Sequence, residues 1–124
     1  MTSTARFTEV SARDRLLLRA TVGCGPGALS AWDEWIRDVE LDGVPYPEAR
    51  LLPQVFANLH AQGLAGKLPP RMRGKYRWVW SSNRLRCRAV APALHALAQR
   101  GVPTMLLKGA GLLAGERCPW GARE

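Results

Sequence analysis

The stretch that decides the fold is PRMRGKYRWVWSSNRLRCRAVAPALHALAQRG, residues 70–101. Along it, one set of residues recurs at alternating steps of four and three, which is the spacing of one face of an α-helix. Gly101 follows as a terminator, and Pro92 falls inside the pattern, where it removes a backbone donor. We therefore predict one long helix from residue 69 or 70 to residue 99 or 100, kinked at Pro92. Its predicted core stripe is Tyr76, Trp80, Asn83, Cys87, Val90, Leu94 and Leu97.

Asn83 is the one strongly polar residue on that predicted stripe. Buried polar side chains are nearly always hydrogen-bonded, which favours a structural role for it inside the core. The alternative is that it marks a binding site.

The other faces of this predicted helix are basic. Residues 49–115 contain eleven Lys or Arg and no acid, whereas residues 1–48 contain five arginines and eight acids. No carboxylate at i+4 relieves the repulsion along the helix. The block is therefore either a solvated face or a surface for phosphates or an acidic partner. The candidate contact residues are Arg73, Lys75, Arg77, Arg84 and Arg88.

Three further helices are predicted upstream. Ser11 is a candidate N-cap for the first, with Asp14 in its first turn. The second carries Trp32 and Trp35 on its apolar stripe, where they are interpreted as core residues in preference to an aromatic ligand box. The third is predicted in ARLLPQVFANLHAQG, residues 49–63, where Gly63 ends it. We expect a helical region over residues 11–101 and a disordered N-terminus over residues 1–10.

Composition and cysteine usage exclude several classes of protein. The chain has 124 residues, of which 47% are hydrophobic and 23% charged, as in a single soluble globular domain. No apolar run is long enough to span a membrane and no secretory signal is evident, so a cytoplasmic protein is predicted. The isolated cysteines favour reduced thiols over a disulfide or zinc site, and no metal site is predicted. Those cysteines are Cys24, Cys87 and Cys118.

After Gly101 the pattern changes. The short apolar run at 102–107 predicts a buried β-strand, and Lys108-Gly109-Ala110-Gly111 predicts a turn into a short helix. Glycines let a backbone approach a phosphate, a helix N-terminus offers free N–H groups, and Lys108 adds positive charge. On these residues alone, an ordinary tight turn and a phosphate site both remain open. A lone strand would also need a partner to cover its edge.

The order and spacing of several segments resemble the uncharacterised bacterial nucleotidyltransferase family of the DNA polymerase beta-like superfamily. The resemblance covers roughly residues 12 to 122, including LLLRA, ARLLPQVFANL and the stretch from RGKYRWVW to LLKGAGLLA. In that family a long helix is followed by G-[IV]-P, a strand and LKGAAL. This sequence matches the last motif at Leu107 to Leu112, except for Gly111.

This resemblance implies transfer of a nucleotidyl group from an NTP to an acceptor hydroxyl. It implies that Gly109 and Ala110 contact the triphosphate, and that residues 102–124 begin an α+β nucleotidyltransferase core. In complete members, a later G-D-x-D motif holds two metal ions, with Mg²⁺ expected. No D-x-D occurs here, so catalytic carboxylates are expected beyond Glu124, and the chain is expected to be a truncated member that is inactive alone.

The alternative function is a small basic helical module that binds nucleic acid or an acidic protein. Trp78 and Trp80 interleave with the arginines and could stack on bases. Because Trp80 lies on the predicted core stripe, only Trp78 is expected to be free for such stacking.

Overall fold

The computed structural model of the chain describes residues 9–115 and 119–122. The predicted mainly α fold is confirmed, and the four predicted helices correspond to α1, α2, α4 and α5. The helices are α1 (Ala12–Val22), α2 (Gly25–Ile36), α3 (Tyr46–Ala49), α4 (Leu52–Ala61), α5 (Pro70–Gln99) and α6 (Lys108–Ala114). Short 3-10 turns lie at Leu41–Gly43 and Ala65–Lys67.

The first helix begins at the predicted cap. The Ser11 hydroxyl oxygen accepts a hydrogen bond from the Asp14 backbone N–H at 3.0 Å, and the hydroxyl donates to the Asp14 carboxylate at 2.7 Å. The Asp14 carboxylate also lies in the first turn of α1, where the positive end of the helix dipole favours negative charge. The sequence-based cap is therefore confirmed.

Replacing Ser11 with alanine should lower the free energy of unfolding by about 1 kcal/mol, because one N–H of the first turn of α1 loses its acceptor. Chemical denaturation followed by circular dichroism measures the change. Ser81→Ala is a matched control, since Ser81 is exposed within α5 and alanine is a good helix former there. An equal loss in both variants would contradict the capping role.

The core lies where α1, α2 and α4 meet the first half of α5. α1 packs against α2 and α4, and α4 also packs against α5. The rings of Trp32 and Trp35 stack with centroids 5.4 Å apart and are almost fully buried, which confirms their assignment to the core. The buried apolar residues of this core are Leu17, Ala20, Ala28, Trp32, Trp35, Leu52, Val55, Phe56, Leu59, Leu68 and Met72.

Two polar side chains of α4 hold the turn between α1 and α2. The Asn58 amide nitrogen donates to the carbonyl oxygens of Ala20 and Gly23, both at 2.9 Å. Gln62 donates to the Gly23 carbonyl at 3.1 Å and accepts from the Gly25 backbone N–H at 2.6 Å. These bonds satisfy backbone groups at the end of α1 and the start of α2 that have no partner within their helices.

The extent of α5 matches the prediction, and the helix runs through Pro92 without interruption. Its predicted core stripe is only partly right. The buried residues are Met72, Val79 and Asn83, and from Arg84 to Gln99 no side chain is buried. The core reaches only the first half of the helix, so apolar residues further along lie in solvent. The predicted stripe members that are exposed are Trp80, Val90 and Leu97.

The predicted β-strand at residues 102–107 is wrong. This segment has no strand assignment, and the part of the chain the structure describes contains no β-strand at all. A strand needs a neighbouring extended segment for its backbone bonds, and the helical region offers none. Its predicted burial is also wrong, since Met105 and Leu107 are 81% and 67% exposed. The start of an α+β core is therefore not present, and a partner that covers this segment stays a prediction.

Candidate phosphate-binding surfaces

The turn predicted to contact phosphate is the first turn of α6, which directly follows residues 102–107. Lys108, its first residue, has φ of 55°, which makes it the one non-glycine residue with positive φ in the ranges 9–115 and 119–122. That left-handed conformation costs an L-residue about 1–2 kcal/mol. Lys108 and Ala110 are exposed and Gly109 is half-buried, so the backbone of the turn lies at the surface.

Gly111 follows the turn and departs from the alanine of the LKGAAL motif. A Cβ atom at this position would lie 2.8 Å from the carbonyl oxygen of Leu106. An alanine would therefore force the backbone of Leu106 to move, and glycine allows the present close approach. Because α6 has only seven residues, its dipole is small, and the predicted contribution of the helix N-terminus is reduced to the local backbone N–H groups, which the Leu107 side chain does not cap.

The second candidate surface lies on α5. With about 100° of rotation per residue, four of the five predicted arginine and lysine contacts fall within an arc of about 80°. Lys75 lies on the opposite side, where it lines a cleft of about 360 Å³ with Asp42 and Arg71. Trp80 falls inside the arc. We call this arc the basic stripe; it consists of Arg73, Arg77, Trp80, Arg84 and Arg88.

The arginines of the basic stripe are not neutralised within the described chain. The ion pairs found there join Arg13 to Glu48 and Arg71 to Asp42, and neither involves the stripe. The hydrogen bond to Asp42, together with attraction to the same carboxylate, raises the pKa of the Arg71 guanidinium above its ordinary value. All four stripe arginines are exposed.

Trp80 belongs to this surface and not to the core, which corrects the expectation that only Trp78 is free. Its side chain is 44% exposed, and the neighbouring Val79 is buried in its place. The Arg84 guanidinium lies 5.6 Å from the centroid of the Trp80 ring and 5.2 Å from that of the Trp120 ring. Trp78 is 60% exposed but lies outside the stripe, about 120° around the helix from its middle.

Residues 119–122 dock against α5 beside the basic stripe. The Asn83 side chain is 5% exposed and donates to the Trp120 carbonyl oxygen at 2.8 Å. Gly121 lies against the ring of Tyr76, where a Cβ atom would come within 2.6 Å of the ring. The structural role predicted for Asn83 is therefore confirmed. The docking itself was not predicted, because nothing in the short segment indicates its distant acceptor.

Within 9–115 and 119–122, no group of three or more His, Cys, Asp or Glu could hold a metal ion. Cys24 and Cys87 are free thiols. Cys118 and the acids Glu116 and Glu124 lie outside the described residues. No helix in the described ranges is both long and apolar enough to cross a bilayer.

No bond brings the two candidate surfaces together, since none of the hydrogen bonds or ion pairs found in the described residues joins the Lys108 turn to the basic stripe.

Comparison with protein-family models, curated proteins and solved structures found no match.

Proposed function

We propose that this chain takes part in nucleotidyl transfer from an NTP to an acceptor hydroxyl, with the turn Lys108-Gly109-Ala110 contacting the triphosphate. The observation that supports this most is the positive φ of Lys108. Strained backbone of this kind persists only where the surroundings impose it, and it is concentrated at ligand sites. A lysine at such a position keeps a charged side chain where glycine would remove the strain.

The chemistry of the turn fits a triphosphate. In nucleotidyl transfer the acceptor oxygen attacks the α-phosphorus, the bond to the bridging oxygen breaks, and pyrophosphate leaves. Negative charge therefore grows on the β- and γ-phosphates, and the Lys108 ammonium and exposed backbone N–H groups would stabilise it there. The resemblance implies Mg²⁺, but the described residues include no carboxylate cluster to hold it. No step is therefore assigned to a metal. We also propose that the protein is cytoplasmic.

The test is nucleotide binding by Lys108 variants. We expect ATP to bind more tightly than AMP, because AMP lacks the β- and γ-phosphates. Lys108→Gly should weaken ATP binding roughly ten- to a hundred-fold, which corresponds to the loss of a charged hydrogen bond of about 1.5–3 kcal/mol. The same variant should unfold at equal or higher denaturant concentration, because glycine tolerates positive φ. Titration calorimetry and chemical denaturation measure the two effects.

Lys67→Ala is the matched control, since Lys67 is an exposed lysine in another turn. It should leave ATP binding unchanged. Equal losses in the two variants, or equal binding of ATP and AMP, would show that the turn does not recognise a triphosphate.

A further inference from the structure

The basic stripe combines two kinds of contact in one row on α5. Its four arginines repeat at steps close to the helical period, and they span about 22 Å along the helix from Arg73 to Arg88. Trp80 lies between Arg77 and Arg84 in sequence and, at about 100° per residue, at the edge of the stripe next to Arg73. A solvated charged face gains nothing from a large exposed indole at its edge, because exposing that apolar surface to water is unfavourable. The combination indicates a ligand that has both negative charge and flat apolar surfaces.

The aromatic part of the stripe is already ordered. The Arg84 guanidinium lies close to the rings of both Trp80 and Trp120. The hydrogen bond from Asn83 to the Trp120 carbonyl holds the backbone of Trp120 beside α5. Guanidinium planes and indole rings both stack on nucleobases. Because these groups are held before any ligand arrives, little side-chain entropy is lost when a base stacks on them.

The partner with this chemistry is a nucleic acid in which the bases are accessible. In a duplex the bases are already stacked on each other, so a surface tryptophan has no base face to contact. In a single strand, phosphates and unstacked bases are both free. An acidic polypeptide would pair with the arginines but would have no use for Trp80.

From this placement we propose that the basic stripe, together with Trp120, binds single-stranded nucleic acid. The arginines contact phosphates along the strand, and a base stacks on the cluster of Trp80, Arg84 and Trp120. This surface is distinct from the Lys108 turn, and its binding does not depend on nucleotidyl transfer.

The experiment measures binding of the full chain to a labelled oligouridylate of about a dozen nucleotides by fluorescence anisotropy across a salt series. Four phosphate contacts predict a slope of log K against log salt of about −2.8 for a single strand. Arg77→Ala should weaken binding and reduce the magnitude of the slope by about 0.7. Trp80→Ala should weaken binding roughly five- to a hundred-fold without changing the slope.

Two matched controls lie on the same helix. Arg86→Ala removes the same charge and Trp78→Ala the same ring, but both residues are exposed outside the stripe. Both variants should bind like the unmodified chain, and all four should keep its helical circular dichroism. If each control variant weakens binding as much as the matching variant in the stripe does, the stripe is not the binding surface. Duplex of the same length binding equally well would refute single-strand recognition. Equal competition by polyglutamate would assign the stripe to an acidic protein.

Discussion

Replacing Trp32 with alanine should lower the free energy of unfolding by about 3–5 kcal/mol. The side chain is 1% exposed, and its ring stacks on Trp35 within the core formed by α1, α2 and α4. Truncation loses the transfer free energy of the indole and leaves a cavity that neighbouring helices fill only in part. Small domains are stable by about 5–15 kcal/mol in total, so this one change removes a large share. Urea denaturation followed by circular dichroism measures the loss.

Trp78→Ala is the natural comparison, because it deletes the same side chain from a position that is 60% exposed. It should change the unfolding free energy by no more than about 0.5 kcal/mol. Similar losses at the two positions would mean that the core is not where the structure places it.

Replacing Asn58 with aspartate should cost about 3 kcal/mol at neutral pH. The Asn58 amide donates to two backbone carbonyls, those of Ala20 and Gly23. A carboxylate cannot donate, and its negative oxygens would face those carbonyl oxygens without a partner. The loss should become smaller as the pH falls towards the ordinary aspartate pKa of about 3.9, because the protonated carboxyl can donate one hydrogen bond.

Gln54→Glu makes the same amide-to-acid change on an exposed position of α4. Its effect on the free energy of unfolding should be within about 0.5 kcal/mol, because Gln54 makes none of the hydrogen bonds that join Asn58 and Gln62 to the turn between α1 and α2. Denaturation of both variants at several pH values separates the two cases. A pH-independent loss for Asn58→Asp, or an equal loss for Gln54→Glu, would count against the proposed donor role.

The helices could be predicted because their signals are local. The 3.6-residue period placed α5 almost to the residue, and Ser11 with Asp14 marked the start of α1. The network around Asn58 and Gln62 was not foreseen, because its acceptors lie more than thirty residues away in sequence. One signal could have found it. The GCGPG turn leaves carbonyls without helical partners, and such groups require donors from elsewhere.

The candidate surface on α5 was only partly predicted because two adjacent residues compete for the core side of the helix. A stripe counted from Tyr76 passes through Trp80, whereas one counted from Met72 passes through Val79. Both have helical spacing, and the sequence alone does not say where the other helices end. The structure buries Val79. The prediction of a strand at 102–107 is wrong for a related reason, because strand formation depends on a neighbouring strand that no local pattern reveals.

The uneven burial of α5 also has a consequence for how its helix forms. An isolated helix of about sixteen residues is marginal in water, because closing the first turn fixes many torsion angles for a single hydrogen bond. Residues 84–99 contribute no buried side chain to the core, but they continue a segment whose first turns are packed against α4. We therefore expect the packed half to serve as the nucleus and the projecting half to grow from it by one hydrogen bond per residue. The projecting half therefore stays helical only while the core is intact, although its residues do not touch that core. The spacing of Arg84 and Arg88 depends on the core in the same way.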